Sequence, residues 1–538
     1  MKQFILTVFL CTSMLFAQLP DWKKKLQPET NNWRKTKQIL KFNNGSEPQT
    51  LDPHLMTGVL EGRLSDALNE GLTTYDPRDL TPRPGVAKSW KISKDGKTYT
   101  FALRKNARWS DGIAVTAHDF YKSWKRALTP ATGCKYVNLL YVIDGAEEFY
   151  KGKAANFGAV GIKVKDDFTL EVKLKNRTAY FLDLCAFPVY HPVRVDLIAI
   201  NGKSWTAPGK HIGNGPFKLT VWNARSIIKM VRNPNYWDRD FVKLDEVHAY
   251  PIENQKTAYN KFLKGEIHWM PSIPLSQIDE VQKNPDYYVM PYLGTYFYRF
   301  MVKGTYKGKK NPFADKRVRQ AITMATNKVD ICKNILRAGQ KPVTNFCPSV
   351  AGYKEVPGLA YDPDKAAALL AKAGYPKGKG FPEVDLLYNT SESHKKVAEV
   401  IVKQWERNLG IKVSPINREW KVYLDDTNKL NFQMSRAGWI GDYGDPSTFL
   451  NIFRSGDGNN RTGWSNKKYD TLLLQTNSEA DSAKRNVLFQ EMEKILLDEA
   501  PILPIYRYVN QGLLSESVLG WHENIRGLHN MKYIWLEE

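Results

Sequence analysis

The chain has 538 residues, 42% of them hydrophobic and 25% charged, which is the balance of a globular protein with an ordinary core and room for about three structural units. The net charge of +22 comes from 78 basic against 56 acidic residues, and the lysines are spread along the whole chain, commonly beside acids. No basic block is interleaved with aromatics, so a nucleic-acid interface is excluded and the charge describes a solvated surface in an anionic envelope. There is no P-loop, no G-x-S-x-G, no H-E-x-x-H and no G-x-G-x-x-G opening a helix, and the nine histidines are scattered. An enzyme, a metal and a cofactor are therefore not expected.

In chain order, Lys2 precedes an almost wholly apolar stretch at 4–16 and the small Ala17, the pattern of a cleaved secretory signal over residues 1–17 and too short to span a membrane. Cys11 is a poor lipid-attachment site, since bulky Phe9 and Leu10 precede it and apolar residues follow. Lys23, Lys24 and Lys25 read as a flexible start. Four cysteines remain after the signal, which allows three pairings. Cys332 and Cys347 are nearest in sequence and would close a loop at a helix end; the alternative is buried free thiols. Without a C-x-x-C, zinc and redox readings are weak.

Strand signals dominate the first half. Asp95-Gly96 joins two runs as a hairpin turn, Asp111-Gly112 makes another turn, and Thr116 with Asp119 starts a helix as a capping box. "VGIKVKDDFTLEVKLK" is a second hairpin. The second half is more helical: two helices over 315–336 broken near Asn327, a helix from Asp362-Pro363 ended by Gly374, and an amphipathic helix over 393–409 between strands "VDLLYN" and "IKVSPIN". That strand–helix–strand unit implies a parallel α/β sheet. A last helix over 482–499, with Val487, Leu488, Met492, Ile495 and Leu496 as its apolar face, precedes the strand "PILPIYRYV". "SRAGWIGDYGDPSTFL" at 435–450 is too apolar for a solvated charge run and too glycine-rich for an ordinary helix.

These segments carry a resemblance. "AKSWKISKDGKTYTFALRKNARWSDGIAVTAHDFYKSWKRAL", "EPQTLDPH", "IGNGPFKL", "RNPNYWD", "PFADKRVRQAI" and "LYNTSESHKKVA" occur in order along the mature chain and resemble the peptide/nickel class of extracytoplasmic solute-binding proteins, family 5. "LYNTSESHKK", "REWKVYLDD" and "SRAGWIGDY" are most similar to its oligopeptide-binding members. The resemblance implies an α/β, two-lobed, hinged periplasmic-binding-protein fold with three domains: domain I over 38–73, 196–293 and 510–538, domain II over 74–195, and domain III over 294–509. It implies a non-enzymatic, monomeric periplasmic receptor that encloses short peptides and delivers them to the membrane permease of an ABC importer, with no nucleic-acid partner.

Burying a free peptide's termini demands partners for both charges. By the resemblance, Asp442 takes the α-ammonium, Arg436 the α-carboxylate of some lengths, and His394 that of longer peptides. Gly438 and Gly441 would let the peptide backbone approach a strand. Trp439, Trp420, Ile440, Tyr292 and Tyr508 are placed near ligand, and Glu61 meets the peptide backbone or a basic side chain. Two departures stand out: relatives carry cysteines where this chain has Ile440 and Gly294, and Phe297 stands where a relative has tyrosine. Open alternatives are a same-fold binder of a narrower ligand (murein peptide, nickel chelate or oligosaccharide) and a chaperone or surface interaction protein.

Overall fold

The computed structural model describes residues 20–35 and 37–537, so the expected signal segment and Cys11 lie outside the described residues. The first hairpin forms where local turn chemistry demands it. Gly96 takes φ +70°, and Asp95 accepts hydrogen bonds from Ser93 Oγ and the Lys97 amide. Strands Ala87–Ile92 and Thr98–Leu103 pair antiparallel across it. Thr169–Lys173 and Ile162–Asp166, the second expected hairpin, complete a four-stranded sheet. Helix Ala117–Ala127 begins at the Thr116–Asp119 capping box and sets Phe120 and Trp124 into the core beneath this sheet.

An eleven-stranded mixed sheet organises the rest. Val384–Asn389 and Val413–Arg418 are parallel neighbours joined by helix Glu392–Leu409, as the hydrophobic period implies. Beside them in order lie Met434–Ile440, Tyr287–Phe300 and Ile502–Leu514. The sheet then continues through Trp269–Met270, Ile39–Asn43, Glu246–Tyr250, Ile227–Arg232 and Phe217–Asn223. Tyr287–Phe300 and Ile502–Leu514 are long enough to run from one apolar core to another. Leu513 packs with Ile273 and Ile278, whereas Tyr296, Tyr298 and Leu503 pack with Ile322 and Trp405. Their antiparallel ladder skips register between Pro291↔Val509 and Thr295↔Arg507.

The broken helix pair is seen as Lys316–Met324 and Lys328–Asp330, continued by Ile331–Leu336; the Asn327 side chain accepts from the Asp330 amide at 3.0 Å and restarts the helix. Three expectations are corrected. Lys23 is not in a flexible start: it is buried, ion-paired with Asp238 at 2.5 Å, and lies over the rings of Trp237 and Phe241. Cys332 and Cys347 are not bridged; all four described cysteines are free and buried. The two sit in separate apolar clusters, and the chain between them is tied at Lys341–Pro342 to the Ile502–Leu514 strand. In helix Ser482–Glu499, Val487 is exposed, and the buried face is Phe489, Met492, Leu496 and Leu497 around the carboxylate of Glu493. Among the described residues no helix is long and apolar enough to cross a membrane.

Candidate functional site

A cavity of about 500 Å³ lies where the 44–66 segment and residues 136 and 186–188 face the strands that carry Arg436, Asp442 and Tyr508. Strand Met434–Ile440 forms one of its walls. One edge of this strand pairs along its whole length with Tyr287–Phe300, but the other pairs with Val384–Asn389 only at Met434 and Ser435. From Arg436 onward the second edge is open. The Gly441 amide donates to Leu293 O at 2.8 Å, so by the alternation of an antiparallel ladder Trp439 and Ala437 also face the Tyr287–Phe300 strand. The amides of Gly438 and Ile440 then face away, into the cavity. The Arg436 carbonyl faces the same way and accepts from Tyr423 Oη.

Arg436 is fixed from several sides. Nη1 donates to Asn389 Oδ1 at 3.2 Å, Nη2 donates to Tyr508 Oη at 2.6 Å, and the guanidinium lies over the Tyr296 ring. It has no carboxylate partner. Gly438 serves this arrangement in an unexpected way. A Cβ there would collide with the Tyr508 hydroxyl, and one on Gly441 would crowd Leu293. The two glycines admit the protein's own side chains beside the cavity. Ile440 and Gly294 are direct cross-strand partners, and the Ile440 side chain occupies the space over Gly294.

Asp442 follows the strand. Tyr136 Oη donates to its Oδ1 at 3.4 Å, Thr448 Oγ1 donates to its Oδ2 at 3.3 Å, and its amide donates to Thr448 Oγ1 at 2.9 Å. It makes no ion pair. Burial pushes its carboxyl up to about 7, against the opposing pull of the Arg526 charge and the two hydroxyls. His394 lines the same cavity, and in the free protein it is a neutral imidazole. Burial, and then the Arg436 charge, hold it well below the usual imidazole range, and as a neutral ring its Nδ1–H donates to Asn389 O at 3.2 Å. Glu61 does not line the cavity. It is buried behind Trp420, accepting from Trp420 Nε1 at 2.9 Å and from the Gln49 amide at 2.8 Å. It orients an indole that also stacks on Tyr423. Trp439, Trp420, Ile440, Gly438, Tyr292 and Tyr508 do line the cavity, and the buried Nε1 of Trp439 has no acceptor.

Sequence reasoning missed several charges in the cavity wall: Arg63, Arg299, Arg461, Arg526 and Asp66. Among the described residues the Asp66 side chain makes no hydrogen bond or ion pair, and burial pushes it up to about 7. Arg299 carried a legible signal. It is the one charge in "TYFYRF", a run that is buried throughout. Among the described residues no group of His, Cys, Asp and Glu is placed to hold a metal ion.

What this arrangement can do is surround a small solute, offer it a strand edge and answer charges of both signs, and that defines a two-lobed solute-binding protein. The chain belongs to the bacterial extracellular solute-binding proteins of family 5, whose middle-region profile matches residues 81–461. It is 37% identical to the periplasmic oligopeptide-binding protein OppA of Escherichia coli K12 over 497 residues, 90% of each chain. It is similar to the crystal structure of the periplasmic oligopeptide-binding protein OppAIV of Borrelia burgdorferi, with a TM-score of 0.89 at 35% identity over 93% of this chain and 100% of that one. The murein tripeptide-binding protein MppA of E. coli matches with a TM-score of 0.88 at 34% identity over 93% of this chain and 99% of that one. The unliganded open form of MppA matches at only 0.61, at 35% identity over 93% and 97%.

Proposed function

We propose that this protein is a periplasmic receptor that encloses short peptides between its lobes and hands them to the membrane permease of an ABC importer. The observation that carries the reading is the open edge at 436–440, bounded by an unpaired guanidinium at Arg436 and an unpaired carboxylate at Asp442. An extended chain lies along such an edge as an added strand. Six residues of strand span roughly 20 Å. Less the reach of the arginine side chain, that fits a peptide of a few residues with its ammonium at Asp442 and its carboxylate at Arg436. Peptide binding by OppA-type relatives supports the reading, and their periplasmic location agrees with the apolar segment at 4–16. The division into domain I (38–73, 196–293, 510–538), domain II (74–195) and domain III (294–509) goes with it, as does a monomeric state. The protein purified without unfolding should show co-purified peptide masses in native mass spectrometry. Stripped of them, it should gain thermal stability on adding tri- to pentapeptides. A bare native mass together with no thermal shift would remove the reading.

The Asp442 carboxyl sets the sign of a pH effect. Its pKa in the free protein is about 7. An ammonium partner favours the ionised form, so the bound-state value is lower and binding releases a proton below pH 7. Affinity for a free-amino peptide should therefore weaken as pH falls below 7, approaching tenfold per unit. It should level off above 7 and fall again as the peptide's α-amine, ordinarily about 7.7–8, loses its proton. Arg526, Tyr136, Thr448 and Tyr443 face this group, and Asp66 titrates in the same range. Asp442→Asn assigns the effect: an acid limb that survives in that variant belongs to Asp66.

A further inference from the structure

We infer that Arg299 and Arg461 form a subsite for a side-chain carboxylate, so that among short peptides this protein selects acidic ones. The inference rests on the peptide-receptor reading and adds the ligand's charge to it.

Both arginines line the cavity while only 3% and 7% exposed. Among the described residues the Arg299 side chain makes no hydrogen bond and no ion pair; its guanidinium lies 5.2 Å from the Phe297 ring centroid, and its buried Nε has no acceptor. Among the described residues the Arg461 side chain has one hydrogen bond, Nη2 to Thr57 Oγ1 at 3.2 Å, and its Nε is likewise buried without an acceptor. Asp457 is the acid that acts on Arg461, but it forms no ion pair with it; its Oδ1 accepts from the Asn459 amide at 2.8 Å, and its Oδ2 is buried without a hydrogen-bond partner. Burial and then the neighbouring Arg461 charge push the Arg299 guanidinium down to about 9, with Arg436 adding to the repulsion. Buried like charges without a counter-ion are costly, and a guanidinium fork is built to receive a carboxylate.

The sheet register separates this pair from Arg436. Arg299 stands opposite Ser435, and Phe297 opposite Ala437, on the face that carries Trp439; Arg436 stands opposite Tyr298 on the other face. A peptide lying along the 436–440 edge sends alternate side chains to the two faces. Those on the Trp439 face meet Arg299 and Arg461, while Arg436 is left for the terminus. The charge balance agrees. Five arginines and two aspartates line the cavity. A neutral zwitterion leaves that surplus untouched, and an acidic side chain reduces it.

Calorimetric titration with Ala-Ala-Ala and with tripeptides carrying Glu, or its uncharged isostere Gln, at each position in turn tests this. At one position Glu should bind at least about tenfold tighter than Gln, a ratio that shrinks as salt is raised. Arg299→Gln and Arg461→Gln should each bring that ratio close to one. Because the wild-type ratio needs no variant, misfolding of either variant leaves the test intact. If the tripeptides bind with Glu and Gln equal at every position, the subsite is wrong and the receptor reading stands. A ratio that survives in both variants places the acid elsewhere in the cavity and overturns the assignment. If none of the peptides binds, the receptor reading fails and takes this inference with it.

Discussion

Asp442→Asn should weaken binding of a free-amino peptide by about two to three orders of magnitude. The substitution keeps the shape and the contacts with Thr448 and Tyr136 but removes the charge. Breaking a buried ion pair costs roughly 3–5 kcal/mol, and each 1.4 kcal/mol is about tenfold. N-acetylation of the peptide removes the other half of the pair and should cost a similar amount with the native protein. With Asp442→Asn it should cost little more, because the interaction is already gone. Titrating both peptides against both proteins closes a double-mutant cycle. Additive losses would mean that the ammonium binds elsewhere. Asp66, the other unpaired carboxylate in the cavity wall, would then be the residue to vary, and Asp442 would become a turn residue held by Thr448.

The second large effect concerns stability. Glu493→Ala should destabilise the half of the protein that carries Arg436 by roughly 3–5 kcal/mol, since it orphans two buried backbone donors and a hydroxyl. The Glu493 Oε1 accepts from the amides of Phe346 and Cys347 at 2.7 Å each, and Oε2 accepts from Tyr353 Oη. One carboxyl thus ties helix Ser482–Glu499 to the 346–353 segment. Burial pushes this carboxyl up to about 7. A carboxyl raised in the folded state contributes stability that is fully present below its unfolded value and is lost as pH rises through the folded one. Native protein should therefore lose stability between about pH 5 and 8 through this group. Glu493→Gln, which still offers an acceptor, should melt close to native at pH 5 and no lower than native at pH 8. Melting curves for the three proteins at both pH values decide it. An alanine variant within about 1 kcal/mol of native would show that the two amides find other acceptors.

Much of the fold was legible because its signals are local. Asp95-Gly96 needs only its own turn chemistry, Thr116 and Asp119 cap a helix three residues apart, and the period of 393–409 shows which face is buried. Lys23 was misread because its partner, Asp238, is 215 residues away. Cys332 and Cys347 were misread because nearness along the chain says nothing about which core each thiol joins. In the site, the residues of "SRAGWIGDY" could be placed through the resemblance, but what surrounds them could not. That burial, with Arg436 beside it, holds His394 neutral, that Glu61 holds an indole, and that Tyr508 packs over Gly438 are properties of neighbours brought together by the sheet. An arginine's lack of a partner is likewise invisible until every acid has been placed.

The register skip in the two long strands bears on how fast a ligand can leave. Between Pro291↔Val509 and Thr295↔Arg507 one strand advances four residues while its partner advances two, and this happens beside Tyr292 and Tyr508 at the cavity. The backbone is continuous through this point, but the rungs are missing there. Rotation of one half of the sheet against the other can thus concentrate in a few dihedrals without sacrificing ladder hydrogen bonds, on the microsecond-to-millisecond scale of hinge motions. The sheet then adds little to the barrier for opening. In the proposed receptor, residence time would then be set by the contacts with the solute, and a permease that twists the two halves apart would release the cargo without unfolding any part of its carrier.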